Sequence, residues 1–302
     1  MKRTGLALLG YFTAVFLGAA ILAPWLHALV QFLAEHHPAW QGLASAPFHR
    51  YVNRCLLLIA IAGLWPLGRF LNLRGITGLG WTPQPAPGRE LAHGFLVGWI
   101  SLGILAWLAG AHELQTSLTL PSTLKSVGKA ALSAVAVALI EESLFRGMLL
   151  GGTRPAWGPK AALWFSSSVY AITHFFRRVQ HEGDIKWDSG FSVLAQMTAG
   201  FVDLPSLFPA FLNLLVAGLI LGRWHLKSGS LWGPAALHAG WVFWLKMYGF
   251  LTDPVSSASP RVWGSERLID GWIALPVLLV VYIFIARRST SHEPLTKRSA
   301  VH

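Results

Sequence analysis

Long apolar runs with few charged residues constrain the fold of this chain more than any other feature of its sequence. They fall at about 5–33, 51–71, 91–111, 127–150, 160–180, 205–224, 230–250 and 269–286. A helix needs about 20 mainly apolar residues to cross the hydrocarbon of a bilayer, and each run is near or above that length. Only helices and closed barrels satisfy their backbone polar groups inside lipid. The runs therefore predict an all-α, polytopic membrane bundle with about eight transmembrane helices.

The composition agrees with a membrane location. Hydrophobic residues make up 54% of the chain and charged residues only 12%, against about 25% charged residues in a soluble domain. Tryptophans lie near the ends of apolar runs, as an interfacial aromatic belt would place them: Trp25, Trp40, Trp65, Trp81, Trp157, Trp187 and Trp263. We expect one integral, multi-pass domain over residues 1–302, with the plasma (inner) membrane as its location.

The net charge of +11 raises the question of nucleic-acid binding, but its distribution argues against it. The basic residues sit singly or in pairs between apolar runs, without an aromatic-interleaved patch, which is typical of solvated membrane flanks. Residues 287–302 form a basic polar tail. The excess of basic residues on one set of connections predicts that both termini are cytoplasmic. The lipid bilayer, and not a nucleic acid, is therefore the expected partner.

Two interpretations of the first apolar run stay open. It is too long for a signal-peptide core and lacks a clear small-residue cleavage site, which favours a membrane anchor. Lys2 and Arg3 before an apolar run are also how a cleavable leader begins.

Small residues recur at every fourth position in several runs. The pairs are Gly94 and Gly98, Gly147 and Gly151, Gly218 and Gly222, and Gly229 and Gly233. Such spacing lets helix backbones approach closely, so we expect close packing there. The spacing is frequent in glycine-rich membrane chains and identifies no function.

Two adjacent carboxylates and a guanidinium interrupt the fourth run, at Glu141, Glu142 and Arg146. A charged side chain at mid-bilayer costs about 2.5–3.5 kcal/mol on translocon scales. On a helix, Glu142 and Arg146 share a face and can pair, whereas Glu141 is rotated by about 100°. We therefore expect Glu142 to be ionised and structural, and Glu141 to serve as a general base. The alternative is a salt bridge that ends a helix at the membrane interface.

Two histidines on other apolar runs complete a candidate centre. His174 lies one turn after Tyr170, whose ring can support the imidazole. His238 follows a Gly-Ser turn that begins at Gly229. Taken alone, His174 is typical of an interfacial residue and His238 of a core residue hydrogen-bonded across helices. Together with the glutamates, the two histidines indicate a water-activating constellation.

The motifs occur in a recognisable order. They are Glu-Glu-x-x-x-Arg at 141–146, an aromatic-x-x-x-His at 170–174, and Gly-x-x-x-Gly…Gly-Ser-Leu-Trp…His-Ala at 218–239. Together they resemble the CPBP (Abi) family of intramembrane glutamic proteases, which includes the type II CAAX prenyl endopeptidases. The resemblance covers about 125–245, which is the expected catalytic core.

The resemblance implies a role for each candidate residue. The equivalents of Glu141 and His174 activate a water, those of Glu142 and Arg146 support the site, and that of His238 helps to bind the oxyanion. It implies a membrane-embedded or lipid-anchored peptide or protein as substrate and no cofactor. The nature of that substrate, including whether it is prenylated, stays open.

One position departs from the family pattern. The family usually has an Asn four residues after the last histidine, where this chain has Val242. Loss of one oxyanion donor typically lowers the rate by about 10²–10³-fold. We expect that another group, with Asn213 as the candidate, replaces the missing amide, or that the site has a different geometry.

The same residues suit hydrolysis without a covalent intermediate. Peptide hydrolysis needs a base, an acid and oxyanion donors, and Glu141, His174 and His238 supply such groups. A zinc-dependent intramembrane metalloprotease is the nearest alternative, because two histidines and carboxylates can hold zinc. The chain has no His-Glu-x-x-His sequence, its single cysteine is Cys55, and Arg146 beside the glutamates disfavours a divalent cation. We therefore expect no bound metal.

Two further alternatives come from other classes of protein. Intramembrane Glu, Arg and His residues also mark transporters and proton relays. Transporters often contain paired repeats, and no second half of this chain repeats Glu141-Glu142. A non-catalytic member of the family is the other alternative, because of Val242.

Overall fold

The computed structural model describes residues 1–287 except 85, 109–111, 115–117, 177–178, 180, 182, 200–203, 255–258 and 266. Of the predicted basic tail, all but Arg287 lies outside the described residues. The described part is mainly helical, and its two three-residue strands pair antiparallel with His112 opposite Pro254. This architecture confirms the prediction of an all-α membrane bundle.

The described part of residues 1–114 contains five α-helices and one strand. They are α1 (Lys2–His36), α2 (Gln41–Ala44), α3 (Phe48–Phe70), α4 (Gly75–Gly78), α5 (Pro87–Leu108) and β1 (His112–Leu114), with a single 3-10 turn at Pro38–Trp40. Then α6 (Leu120–Glu141) leads directly into a π-helical segment, Glu142–Leu150, which continues as α7 (Gly151–Thr173). The remaining elements are α8 (Ser189–Thr198), α9 (Leu204–Ser228), α10 (Trp232–Leu251), β2 (Thr252–Pro254), α11 (Pro260–Trp263) and α12 (Ala274–Arg287).

Five helical stretches among the described residues are long and apolar enough to cross a membrane. They are Lys2–His36, Phe48–Phe70, Pro87–Leu108, Leu120–Thr173 and Leu207–Ser228. The predicted runs at 230–250 and 269–286 correspond to α10 and α12, which has only 14 residues. The chain is thus an integral membrane protein with several spans, and the count of eight stays a prediction.

The stretch Leu120–Thr173 holds two predicted runs in one helical path of 54 residues. The path is broken at Gly158, whose φ of 80° and ψ of 163° are not helical. A residue with a side chain rarely adopts this positive φ, so glycine allows the break. Pro155 and Pro159 flank it. The predicted runs at 127–150 and 160–180 lie on either side of this break.

The chain packs as two compact units. The first comprises Met1–Arg74 and Ile172–Leu207, and the second comprises Gly75–Ala171 and Phe208–His302. In the first unit α1 packs against α3 and α8. Its core is formed by buried apolar side chains of these three helices, among them Ala19, Ala23, Tyr51, Val52, Val193 and Met197.

In the second unit α10 packs against α5 on one side and α6 on the other. The α5 side is a close approach of backbones: a Cβ built on Gly94 would lie 2.5 Å from the carbonyl oxygen of Gly233, and one on Gly98 would overlap that of Leu237. This contact confirms the close packing predicted for Gly94 and Gly98. The α6 side is formed by small side chains, Ala134 and Ala138, against Ala239 and Val242.

Candidate active site

Three elements of the second unit bring the charged groups together. Glu141 is the last residue of α6, Glu142 and Arg146 belong to the π segment, and His238 lies in the middle of α10. Ala138 lies one turn before Glu142 and packs in one cluster with Ala239, the neighbour of His238. The alanine contact between α6 and α10 therefore leads directly into the charged centre.

Glu142 and Arg146 form a fully buried ion pair. A guanidinium nitrogen, Nη1, lies 3.1 Å from Glu142 Oε1, and the two side chains are 0% and 1% exposed. The pair confirms the prediction made from their spacing of four residues. Breaking a buried pair by removing one partner leaves an uncompensated charge, so each residue depends on the other for its place in the interior.

Arg146 is held by an aromatic ring and a carbonyl in addition to its carboxylate. Its guanidinium carbon lies 4.3 Å from the ring centroid of Tyr170, a cation–π distance. Its Nη2 donates to the carbonyl oxygen of Gly218 at 3.5 Å. The support of His174 by Tyr170 stays a prediction from the sequence, and the contact of this ring with Arg146 was not predicted. Gly218, on α9, was not expected to contact the centre.

The helix that carries the centre is wider than an α-helix. Residues Glu142–Leu150 form a π-helical segment, a rare conformation that often occurs at functional sites. Side chains of α7 hydrogen-bond its carbonyls: Ser166 Oγ donates to Phe145 at 2.7 Å and Thr153 Oγ1 donates to Leu149 at 2.6 Å. Seven of its nine residues are buried, so packing on several sides holds this geometry in place.

His238 connects the two carboxylates. Its Nδ1 lies 2.9 Å from Glu142 Oε1, a hydrogen bond, and its Nε2 lies 3.7 Å from Glu141 Oε2. The ring is nearly buried and is approached by the edge of Tyr170, with centroids 6.0 Å apart. One imidazole therefore faces both glutamates, with a different nitrogen toward each.

The two glutamates differ sharply in their surroundings. Glu142 is 0% exposed and engaged by Arg146 and His238, whereas the side chain of Glu141 is 25% exposed. Adjacent residues of one helical path thus present one fully buried and one partly exposed glutamate, and of the latter the Oε2 atom that faces His238 is buried. Such a difference in environment is how two carboxyl groups acquire two roles.

His174 lies just past the end of α7 and belongs to the first unit, while the other four predicted residues belong to the second. Its partnership with Glu141 therefore stays a prediction.

Asn213 does not replace the amide that the family has at position 242. Its Nδ2 donates to the carbonyl oxygens of Ile269 and Gly271, both at 2.8 Å. Both amide hydrogens are thereby used to hold the chain that leads into α12, and the expectation that they serve the oxyanion is wrong. Val242 itself is buried against Ala134, Ala138 and Ala239.

Within the described part of the chain, no group of three or more His, Cys, Asp or Glu side chains is placed to hold a metal ion. Three protein ligands are what a catalytic zinc usually needs. The Arg146 guanidinium forms an ion pair with Glu142, as expected from the sequence.

The fold and the centre define an all-helical integral membrane protein with a buried glutamate–histidine–arginine cluster. Residues 123–244 match the family described as type II CAAX prenyl endopeptidase, Rce1-like. This match falls on the expected catalytic core and confirms the resemblance drawn from the motifs. The match includes Glu141, Glu142, Arg146, His174 and His238. No curated protein and no solved structure matches the chain.

Proposed function

We propose that the protein is an intramembrane endopeptidase that hydrolyses a peptide bond near the membrane interface with a water activated by Glu141. The observation that supports this proposal is a difference in burial between the two glutamates that face one imidazole. Glu142 is fully buried, whereas the side chain of Glu141 is partly exposed. A general base must be reachable by the water that it deprotonates, and of the two carboxylates Glu141 meets that condition.

Each step of the reaction has a residue to perform it. Glu141 takes a proton from water, and the hydroxide oxygen adds to the carbonyl carbon of the substrate. When both nitrogens of His238 are protonated, Nδ1–H is held by Glu142 and Nε2–H is directed toward the Glu141 side, where it can donate to the oxyanion. The C–N bond then breaks, and the proton held by Glu141 passes to the leaving amine. His174 assists Glu141 in activating the water, as the resemblance implies.

In this mechanism Glu142 and Arg146 do not exchange protons with the substrate. Glu142 orients the imidazole through Nδ1, in the way that a carboxylate orients a catalytic histidine elsewhere. Arg146 offsets the charge of Glu142 in the buried centre. Their role is to keep His238 in one position while Glu141 reacts.

The proposed substrate is a membrane-embedded or lipid-anchored peptide or protein. The family name refers to prenylated CAAX sequences, and the spans of this chain place it in the membrane, where a lipid-modified terminus inserts. The plasma (inner) membrane is the proposed location.

A comparison of membranes that contain the wild-type protein or Glu141→Gln tests the proposal. Gln keeps the shape of the side chain and removes the base, so cleavage of C-terminal or juxtamembrane peptides should fall at least about 10²-fold. The matched control is Glu35→Gln, since Glu35 is exposed at the end of α1; it should cleave normally. Wild-type cleavage by Glu141→Gln would refute the glutamate mechanism, and absence of cleavage by the wild type would favour a transporter or a non-catalytic member.

Chelation separates the proposal from a zinc protease. Extended treatment with a strong chelator should leave cleavage unchanged, and the purified protein should contain far less than one zinc per chain. Stoichiometric zinc whose removal abolishes cleavage, and whose return restores it, would replace the metal-free mechanism.

A further inference from the structure

A short connection between α4 and α5 touches both halves of the charged centre. We call residues 79–82, Leu79 to Thr82, the strap. On one side it meets the π segment: Trp81 Nε1 donates to Ser143 Oγ at 2.9 Å, and a Cβ on Gly147 would lie 2.5 Å from the carbonyl oxygen of Leu79. Ser143 is the residue next to Glu142, so the strap is anchored beside the carboxylates.

On its other side the strap meets the start of α10. The backbone N–H of Leu231 donates to the carbonyl oxygen of Gly80 at 2.8 Å, and Trp232 Nε1 donates to that of Thr82 at 3.0 Å. The rings of Trp81 and Trp232 pack edge to face with centroids 4.9 Å apart. The strap therefore forms hydrogen bonds both to the π segment, which begins at Glu142 directly after Glu141, and to the start of α10, the helix that carries His238.

The close fit of the strap depends on Gly80. Its φ is +96°, and a Cβ there would lie 2.7 Å from His225 Cε1 and 3.0 Å from the side chain of Leu231. Only glycine combines this backbone conformation with this approach. The strap is thus a built contact and not a loop that happens to lie nearby.

The buried part of the apolar contact between α6 and α10 is small. It consists of Ala134 and Ala138 against Ala239 and Val242, with the partly buried Val137 and Phe243 packed against it, so a further contact such as the strap adds to what places the two helices along their axes. The distances from His238 to the two glutamates depend on how far α6 and α10 are shifted relative to each other along their axes. In a catalytic site, a displacement of about 1 Å can lower the rate about 10²-fold.

We propose that the strap positions the residues of the active centre. In this proposal, the hydrogen bond from Trp81 to Ser143 sets the position of Glu141 relative to His238 along the helix axes. Trp81 is a positioning residue, because it acts through Ser143 and α10 and does not touch the reacting atoms. The inference rests on the proposed function for its effect on rate, but the geometry on which it depends can be measured without any cleavage.

Trp81→Phe and Ser143→Ala remove the same hydrogen bond and test the proposal together. Each should lower kcat about tenfold, with KM and the thermal midpoint close to wild type, and the double variant should lose no more than either single variant. Ser143→Thr keeps the hydroxyl and should retain most of the rate. The matched control is Trp99→Phe, since Trp99 packs on Trp244 away from the strap.

The imidazole signals of His238, identified by their loss in His238→Gln, provide the readout that needs no substrate. In ¹⁵N-histidine NMR spectra they should shift in Trp81→Phe and stay in place in Trp99→Phe. Unchanged His238 signals and an unchanged kcat in Trp81→Phe, together with an inactive Glu141→Gln, would refute the positioning role of the strap and leave the glutamate mechanism intact. An active Glu141→Gln would refute the proposed mechanism, while the His238 signals would still decide whether the strap positions that ring.

Discussion

The two faces of α10 are built on different principles. Toward α5, backbone lies against backbone, with Gly94 and Gly98 on α5 and Gly240 on α10, where a Cβ would lie 2.6 Å from the carbonyl oxygen of Phe95. Toward α6, alanines and Val242 form a short apolar contact that leads into Glu141, Glu142 and His238. One face fixes the position of α10, and the other carries the charged groups.

This difference shows how a membrane helix can hold a polar centre. Van der Waals contact between closely approaching backbones is a main source of helix association inside lipid. Because α5 supplies that contact, the opposite face of α10 can be given to charged groups. Substitutions on the two faces should therefore fail in different ways.

The largest expected effect is on the polar face, from Arg146→Ala. The change leaves Glu142 buried without its cation and should destabilise the fold by about 3–5 kcal/mol. Thermal and denaturant unfolding in detergent would measure the loss. Replacing both partners, with Glu142→Gln and Arg146→Met, should recover part of the stability but not the activity, because His238 loses its carboxylate. Wild-type stability in Arg146→Ala would show that the pair is not sealed from water.

The next effect is on the backbone face, from Gly98→Ala. A methyl group there would overlap the carbonyl of Leu237, and overpacking of this kind costs about 1–3 kcal/mol. Stability should fall, and activity should fall with it because α10 is displaced. The matched control is Gly103→Ala on the same helix, where the new Cβ would meet Trp244 at an ordinary 3.4 Å. Equal stability of the two variants would mean that α5 and α10 are not held by close backbone contact.

The smallest effect expected is from Val242→Asn, on the alanine contact of the polar face. Burying an amide among Ala134, Ala138 and Ala239 should cost about 1 kcal/mol or more and should not raise the rate of cleavage. Val242→Thr, which keeps the size of the side chain, can bond its hydroxyl to the preceding turn and should stay near wild type. A faster Val242→Asn enzyme would instead show that the amide reaches the oxyanion, as it does in the family pattern.

The sequence predicted the parts of the centre that depend on short spacing or on recognised motifs. The ion pair of Glu142 and Arg146 followed from a separation of four residues, and the all-helical membrane fold from the length of the apolar runs. The prediction for Asn213 was wrong, because nothing in the local sequence shows that the chain near Ile269 takes both of its amide hydrogens. A regular helical pattern also gives no sign of the π segment.

Contacts between segments far apart in the chain could not be predicted either, because local sequence patterns do not show which segments meet. Trp81 and Ser143 are 62 residues apart, and tryptophan near the end of an apolar run is equally typical of an interfacial belt. The spacing of Tyr170 and His174 predicts a contact between them, which stays a prediction. The ring of Tyr170 also lies against Arg146, a contact that depends on how α7 packs and not on spacing along the chain.

The buried ion pair also has a consequence for the biogenesis of the protein. Glu142 and Arg146 lie on one helical turn, so they can neutralise each other as soon as that stretch of nascent chain becomes helical, before any other span is in place. His238 is synthesised 96 residues after Glu142. The two charges that would be most costly to leave in lipid are therefore paired within one inserted helix. The contact of Glu142 with His238 forms only after α10 has been synthesised and inserted.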